Sequence, residues 1–354
     1  MDQTPISPDD WPQSGLETLG HCPVCRSIDT EVAHDHCHDV VFGVAGGGWT
    51  VLRCKDCFSG FLDPRPTPET IGDAYSVYYT HESRLKTPTN KRSLKHILLN
   101  RIRGSYINAH YGRGQPSLGW LGRKMANLLP ELRRSLDNSH RFLPFPQSET
   151  TPRLLDVGCG NGDFLKVAGK VGWTTFGNDP DPSALDVPTE QSSEIRQGGI
   201  NVWDQYSNYF DAITMNHVVE HLHDPIADLS RCYDILKPGG VFYIETPNFD
   251  AYGRTLYGPN WRGLEVPRHL VIFTWHSLPE ALRRAGFEIV SQIERGNFEK
   301  QAQRSAKCEA GIYDYQPVGD ANLRLPTVQE RKDARIVQDA GKSEWIGILA
   351  RKPV

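Results

Sequence analysis

The sequence predicts an α/β fold, a doubly wound parallel sheet, with a small cysteine-bearing ribbon ahead of it. Three observations predict it. The run Arg153-Leu154-Leu155-Asp156-Val157 is largely apolar and carries an acid at its penultimate position. Gly158, Gly160 and Gly162 follow before helix-forming residues resume at Asp163, the pattern of a buried strand, a tight turn and a helix start. Strand-like and helix-like segments then alternate to the end of the chain, as a doubly wound sheet requires. Upstream, Cys22-Pro23-Val24-Cys25 and Cys54-Lys55-Asp56-Cys57 form two C-x-x-C pairs.

The chain has 354 residues, 38% of them hydrophobic, which supports two domains or one large domain with an appendage and a real core. No apolar run approaches the roughly 18 residues of a membrane span. Met1-Asp2-Gln3-Thr4 lacks the pattern of a signal segment, so a cytoplasmic location is expected. Eight cysteines in a reducing compartment point to metal rather than disulfides.

In order, residues 1–20 read as a flexible N-terminus, rich in Pro, Asp and Ser. Residues 21–82 read as a zinc-binding module. Each knuckle turns two sulfurs toward one point, and Zn²⁺ takes four thiolates in a tetrahedron, so Cys22, Cys25, Cys54 and Cys57 are the expected ligands. Gly43 to Leu52 reads as a turn feeding a strand into the second knuckle. His34-Asp35-His36-Cys37-His38 lies between the knuckles, but neighbouring side chains on a strand alternate in direction, so a polar ribbon tip is expected. Phe61 to Pro68 is a proline-stiffened exit, and Tyr75, Tyr78 and Tyr79 follow, either lining a cleft or packing the module onto the next domain.

Residues 83–150 read as a basic helical cap. Between 84 and 142 there are 13 Lys and Arg against Glu131 and Asp137, a segment charge of +11, while the rest of the chain carries −15. Leu94, Leu98, Ile102 and Tyr106 recur at helical spacing, and Leu118 to Leu136 form a second apolar set that Pro130 breaks or bends. Capping the catalytic domain is the expected role; contact with an anionic substrate or a membrane surface is the alternative. The aromatic interleaving of a nucleic-acid platform is absent, so no nucleic-acid partner is expected.

Residues 151–354 read as the catalytic domain. The loop has the spacing G-x-G-x-G, with Asp163 where a dinucleotide fold would place its third glycine. Trp173 to Asp179 reads as a second strand ending in an acid suited to ribose hydroxyls or to capping a helix. Phe210 to Asn216 is a further strand, followed by His217, Glu220, His221 and Asp224-Pro225; Leu236-Lys237-Pro238-Gly239-Gly240 then reverses the chain into a fifth strand. Ala285 to Val290 and Trp345 to Ala350 complete the sheet as an antiparallel pair, with a flexible flap between them.

These motifs together resemble the class I S-adenosylmethionine (SAM) methyltransferases, here a Rossmann-like seven-stranded sheet. The C-x-x-C, D-P-R-P-x-P and tyrosine-rich order is similar to the zinc module that precedes some bacterial methyltransferase domains in sugar, polysaccharide or natural-product pathways. The resemblance implies a cytoplasmic enzyme that binds SAM through Asp156, Gly158, Cys159, Gly160, Gly162 and Asp179. Gly199 and Ile200 would flank adenine, and Asn216 and His217 would open onto the ligand crevice. It implies methyl transfer to a small-molecule acceptor such as a nucleotide- or lipid-linked sugar or a secondary metabolite. O-methylation is expected, with His269 as general base and His221 next in line, because a base working near neutral pH is most often a histidine. Arg262 and Arg268 flank His269 and are expected to orient an anionic acceptor. Carbon methylation of a sugar is the alternative, weakened because Val266-Pro267-Arg268-His269 lacks the Tyr-x-Glu-His group of the sugar C-methyltransferases. A non-catalytic SAM-binding module is the rival from another class.

Overall fold

The structure is a computed structural model and describes residues 11–75, 93–147, 150–186, 194–319 and 321–354. Tyr78, Tyr79, Arg84, Lys86, Lys91 and Arg92 lie outside the described residues.

The ribbon comes first. Leu16–Glu17 (β1) pairs with Arg65–Pro66 (β5), and Thr30–Cys37 (β2), Trp49–Cys54 (β3) and Gly60–Leu62 (β4) form consecutive antiparallel partners. Both knuckles repeat one backbone design. Arg26 N–H donates to the Cys22 carbonyl (2.9 Å) and Phe58 N–H to that of Cys54 (3.0 Å). Arg26 and Phe58, each just past the second cysteine, have φ of 68° and 66°. That left-handed step turns the chain so that both cysteines of a pair face inward.

Three helices follow: Leu94–His110 (α1), Gly119–Asn127 (α2) and Pro130–Ser139 (α3). Pro130 sits in the first turn of α3, where its missing N–H costs nothing. The expected stripe on α1 is buried only in its C-terminal half. Ile102 and Tyr106 pack with Tyr111, Ala126 and Leu136, while Leu94, Ile97 and Leu98 stay exposed.

The large sheet then begins. Arg153–Val157 (β6), Asp163–Gly169 (α4), Thr174–Asp179 (β7), Glu194–Gln197 (β8) and Phe210–Asn216 (β9) alternate as expected. Pro225–Ile235 (α5) leads into Leu236–Pro247 (β10). Pro238-Gly239-Gly240 was expected to reverse the chain before the strand; it lies within β10, with φ 75° at Gly239. Tyr252–Tyr257 (α6), Val271–Ile272 (β11), Ser277–Arg284 (α7) and Glu288–Arg295 (β12) follow. The expected flap contains two helices, Phe298–Glu309 (α8) and Val328–Val337 (α9), before Trp345–Arg351 (β13). Thr327 and Glu330 make a capping box at the start of α9, a T-x-x-E signal present in the sequence.

The strand order is β12-β13-β10-β9-β6-β7-β8, with β6 parallel to both β7 and β9. This is the doubly wound, seven-stranded Rossmann-like arrangement. The four-stranded ribbon sheet takes its last strand, β11, from late in the chain, so its order is β11-β4-β3-β2. Two compact units result. One holds the ribbon with His217–Leu229 and Glu245–Ile348; the other holds the helical cap with β6–β9, Ser230–Ile244 and Leu349–Val354.

Candidate functional site

The glycine loop lies in the second unit. Gly158, Gly160 and Gly162 have φ of 69°, 48° and 65°, values that only glycine adopts without strain. Nothing lies within 4 Å of where a Cβ on Gly160 would stand. Its N–H donates to Asp179 Oδ2 (2.9 Å), while Asp179 Oδ1 accepts from Asp181 N–H (3.0 Å). Both readings of Asp179 meet here, a turn cap and a carboxylate at the loop.

Asp156, expected among the SAM-binding residues, is buried and already partnered. Arg141 donates to its Oδ1, and Thr214 Oγ1 donates to the same oxygen (2.7 Å). Burial pushes its carboxyl above the usual range, against the pull of Arg141 and Thr214. Its Oδ2 is buried and has no hydrogen-bond partner among the described residues. The open space at Gly160 is where a ligand can lie against the loop backbone. Sequence reasoning missed Arg141, which lies before the motif.

Cys159 is buried, its Sγ packs close to Gly177, and its backbone bonds Asn178 and Gly162 within the loop. Ile200 is buried and, after Gly199, opens a short helical turn to Trp203. Asn216, half-buried, ends β9.

The second cluster lies wholly in the ribbon-bearing unit. His217 has φ 56°. Its Nδ1 lies 3.2 Å from Glu220 Oε1 and its Nε2 3.5 Å from Glu245 Oε1. Burial opposes its charge, but bonding to these carboxylates outweighs burial and lifts the ring to about 9. Glu220 is fully buried and also accepts from Thr246 Oγ1 (2.9 Å). Burial works to raise its carboxyl, yet the His217 bond and the nearby histidines hold it below the usual range.

His221 and His269 meet edge to face, with ring centroids 4.8 Å apart. His221 Nδ1 lies 2.9 Å from the Arg268 carbonyl oxygen and 2.9 Å from Tyr75 Oη; His269 Nδ1 lies 2.8 Å from the Gly263 carbonyl oxygen. A carbonyl only accepts, so Nδ1 carries the hydrogen in both rings and the neutral imidazole keeps its lone pair on Nε2. Burial, helped by the His221 charge and opposed by Glu265, pushes His269 down to about 4. That leaves it neutral but weakly basic. His221 is only half-buried, which makes it the better placed of the two to meet a reactant.

Arg262 and Arg268 do not present themselves to an anionic acceptor. Arg268 is fully buried and donates to both Asp39 oxygens (2.6 and 3.1 Å), to Glu265 Oε1 (3.2 Å) and to the Ala74 carbonyl (2.8 Å). Arg262 donates to Glu265 Oε2 and to Asp314 (3.1 Å). Asp39 also accepts backbone N–H groups from Val41, Phe42, Val44 and Ala45. The charges of both arginines are spent on Glu265, Asp39 and Asp314. Glu265 lies 3.6 Å from His269 Nε2 and supplies the carboxylate missing immediately before the histidine. Its place one helical turn upstream was the available signal.

Among the described residues two groups could hold a metal ion: Cys22, Cys25, Cys54 and Cys57, and Glu220, His221 and His269. In each, one ligand atom per residue lies within 4.8 Å of the others. The sulfurs of Cys22 and Cys57 are 3.5 Å apart and those of Cys25 and Cys54 are 3.4 Å apart. Four thiols this close fit the roughly 2.3 Å bonds of tetrahedral zinc. His34 to His38 contribute to neither group; His38 Nδ1 lies 3.1 Å from the Gly47 carbonyl and His34 Nε2 3.2 Å from Arg254.

Residues 124–292 match a family model described as a methyltransferase domain. The ubiquinone biosynthesis O-methyltransferase of Dinoroseobacter shibae is 34% identical over 164 residues, 43% of this chain and 66% of that protein. That of Cereibacter sphaeroides is 29% identical over 152 residues, 40% of this chain and 62% of that protein. The chain thus spans less than two thirds of these relatives' length. A SAM-dependent methyltransferase structure from Archaeoglobus fulgidus aligns with a TM-score of 0.42 and 19% identity, covering 70% of this chain and 98% of that one.

Proposed function

Proceeding from the methyltransferase domain that residues 124–292 carry, we propose that this protein transfers the methyl group of SAM to a hydroxyl oxygen of a small molecule. The observation that carries the reading is the glycine loop: three left-handed glycines, open space at Gly160, and Asp179 accepting from the Gly160 N–H. The relatives above are O-methyltransferases by name, which favours oxygen over carbon. A sugar or secondary-metabolite hydroxyl is the proposed acceptor class.

The SAM sulfonium is an activated electrophile, so the protein's work is to orient the reactants and remove one proton. The proposal assigns SAM to the glycine loop and the proton to His221 Nε2. Arg268 O and Tyr75 Oη fix the His221 ring, and His269 positions it from the edge. His221→Ala should cut turnover by about 10²–10⁴ with SAM affinity unchanged by calorimetry, assayed against phenols, catechols and activated sugars. Full turnover in that variant would remove His221 from the reaction; loss of SAM binding would make it structural.

A second reading is favoured by the convergence of Glu220, His221 and His269. These residues would hold a divalent cation, which acidifies a bound hydroxyl. Turnover that disappears on chelation and returns with added Mg²⁺ or Mn²⁺ while the ribbon stays folded selects this reading. For the ribbon, the four cysteines are proposed to hold one zinc per chain, to be counted by elemental analysis.

A further inference from the structure

The helical cap leaves an apolar surface that its own core does not use. Leu94, Trp120 and Leu128 are 85%, 65% and 81% exposed, and Ile97, Leu98, Leu121 and Leu129 are exposed beside them in sequence. These side chains are not scattered over the cap. Leu94, Ile97 and Leu98 share one face of the first turns of α1, by the i, i+3, i+4 rule. Leu118 N–H donates to Ser105 Oγ, and a Cβ on Gly122 would meet that same oxygen. Ala126 packs in one cluster with Ile102. α2 therefore runs back along α1 and carries Leu128 and Leu129 toward the exposed N-terminal turns.

Cations surround these side chains. Lys95, Arg101, Arg123, Lys124, Arg133 and Arg134 are all exposed, and Lys124 lies 5.0 Å from the Trp120 ring centre. The acids of the cap are few: Glu131 is exposed, and Asp137 accepts from the Tyr106 and Tyr111 hydroxyls.

We propose that this face of α1–α3 docks on the headgroup layer of an anionic phospholipid bilayer, with Leu94, Trp120 and Leu128 entering the apolar boundary and the surrounding lysines and arginines meeting the headgroups. An interfacial helix face needs this pairing of large apolar side chains with cations. No described helix is long and apolar enough to cross a membrane, so the contact is peripheral. A second copy of the chain is a poor occupant. A two-fold interface would set this face against itself and bring its cations together. Nucleic acid is a poor one too, because Trp120 is the one Trp, Tyr or Phe exposed among α1–α3, too few to stack bases.

The test is flotation of the full-length protein with vesicles of phosphatidylcholine, with and without phosphatidylglycerol. The expected result is flotation only with the anionic vesicles, weakening as salt rises. Two variants follow, both at exposed positions and checked for an unchanged melting temperature. Leu94→Ser/Trp120→Ser/Leu128→Ser should abolish flotation. Arg123→Glu/Lys124→Glu should weaken it by about fivefold or more for each charge. The proposal is overturned if the protein ignores anionic vesicles, or if either variant floats as well as wild type. It is equally overturned if the apolar variant instead dissolves a dimer seen by sedimentation.

Discussion

The glycine loop and the histidine cluster are built from different parts of the chain. The loop is backbone: its shape comes from three left-handed glycines, and its Gly160 N–H is held by Asp179. The cluster is side chain: Asp39, Tyr75, Glu220, His221, Glu265, Arg268 and His269 come from four separate stretches and hold one another by charge and hydrogen bonds. A backbone site tolerates side-chain changes that keep its φ angles. A side-chain site fails collectively, because each buried charge depends on the next.

That contrast can be broken by single substitutions. The largest effect is expected at Arg268. Removing a buried partner strands the others, so Arg268→Ala should destabilise the ribbon-bearing unit by about 3–5 kcal/mol, read as a drop in denaturation midpoint. A loss below about 1 kcal/mol would mean that the cluster is not collective.

Next is Glu344, buried against Trp261 Nε1 (2.9 Å) and Gly253 N–H (2.9 Å). Burial pushes its carboxyl up to about 7, opposed by those two bonds. A carboxyl raised on folding is neutral in both states at low pH. As pH rises from about 4.5 to about 7, the unfolded form ionises first, so the native state loses stability, on the order of 3 kcal/mol. Above about 7 the loss is complete. Glu344→Gln should remove this share of the pH dependence. Melting curves of wild type and variant that stay parallel across that window would show that Glu344 does not titrate there.

The loop gives smaller numbers. Asp179→Ala should weaken SAM binding by about 1.5–3 kcal/mol for each charge-assisted bond lost, by calorimetry. Gly160→Ala has open space for its methyl, so only backbone strain opposes it. The expected cost is about 1–2 kcal/mol, seen as lower SAM affinity with little change in melting temperature. A larger loss of stability would show that the loop supports the fold as well as the ligand.

The same contrast decides what could be read before any coordinates. Glycine at 158, 160 and 162 announces left-handed backbone whatever surrounds it, and paired C-x-x-C knuckles announce converging sulfurs. Both signals are local. Arg141, which occupies Asp156, and Asp39, which neutralises Arg268, are ordinary charged residues whose partners are chosen only when the chain folds. Arg262 and Arg268 looked available beside His269 because sequence shows neighbours along the chain and not the acids that close on them. The helices between β12 and β13 were legible in part: Thr327 and Glu330 carry the capping signal, but Gly and Pro nearby suggested loop. The half-exposed stripe on α1 has the same root, since periodicity shows that a face is apolar and says nothing about how far its cover extends.

The ribbon's β4 has a consequence for how the protein is made. Its outer edge is paired by β11, with Phe61 opposite Val271 and Gly60 opposite Ile272. Roughly 210 residues separate the two strands, so at about 5–20 residues per second the ribosome leaves that edge uncovered for some 10–40 s. During this interval the nascent chain carries an open strand edge, the kind of surface that recruits other chains. Ribbon and late loop must therefore mature together, and a chain stalled before residue 271 would leave the ribosome with an incomplete N-terminal sheet.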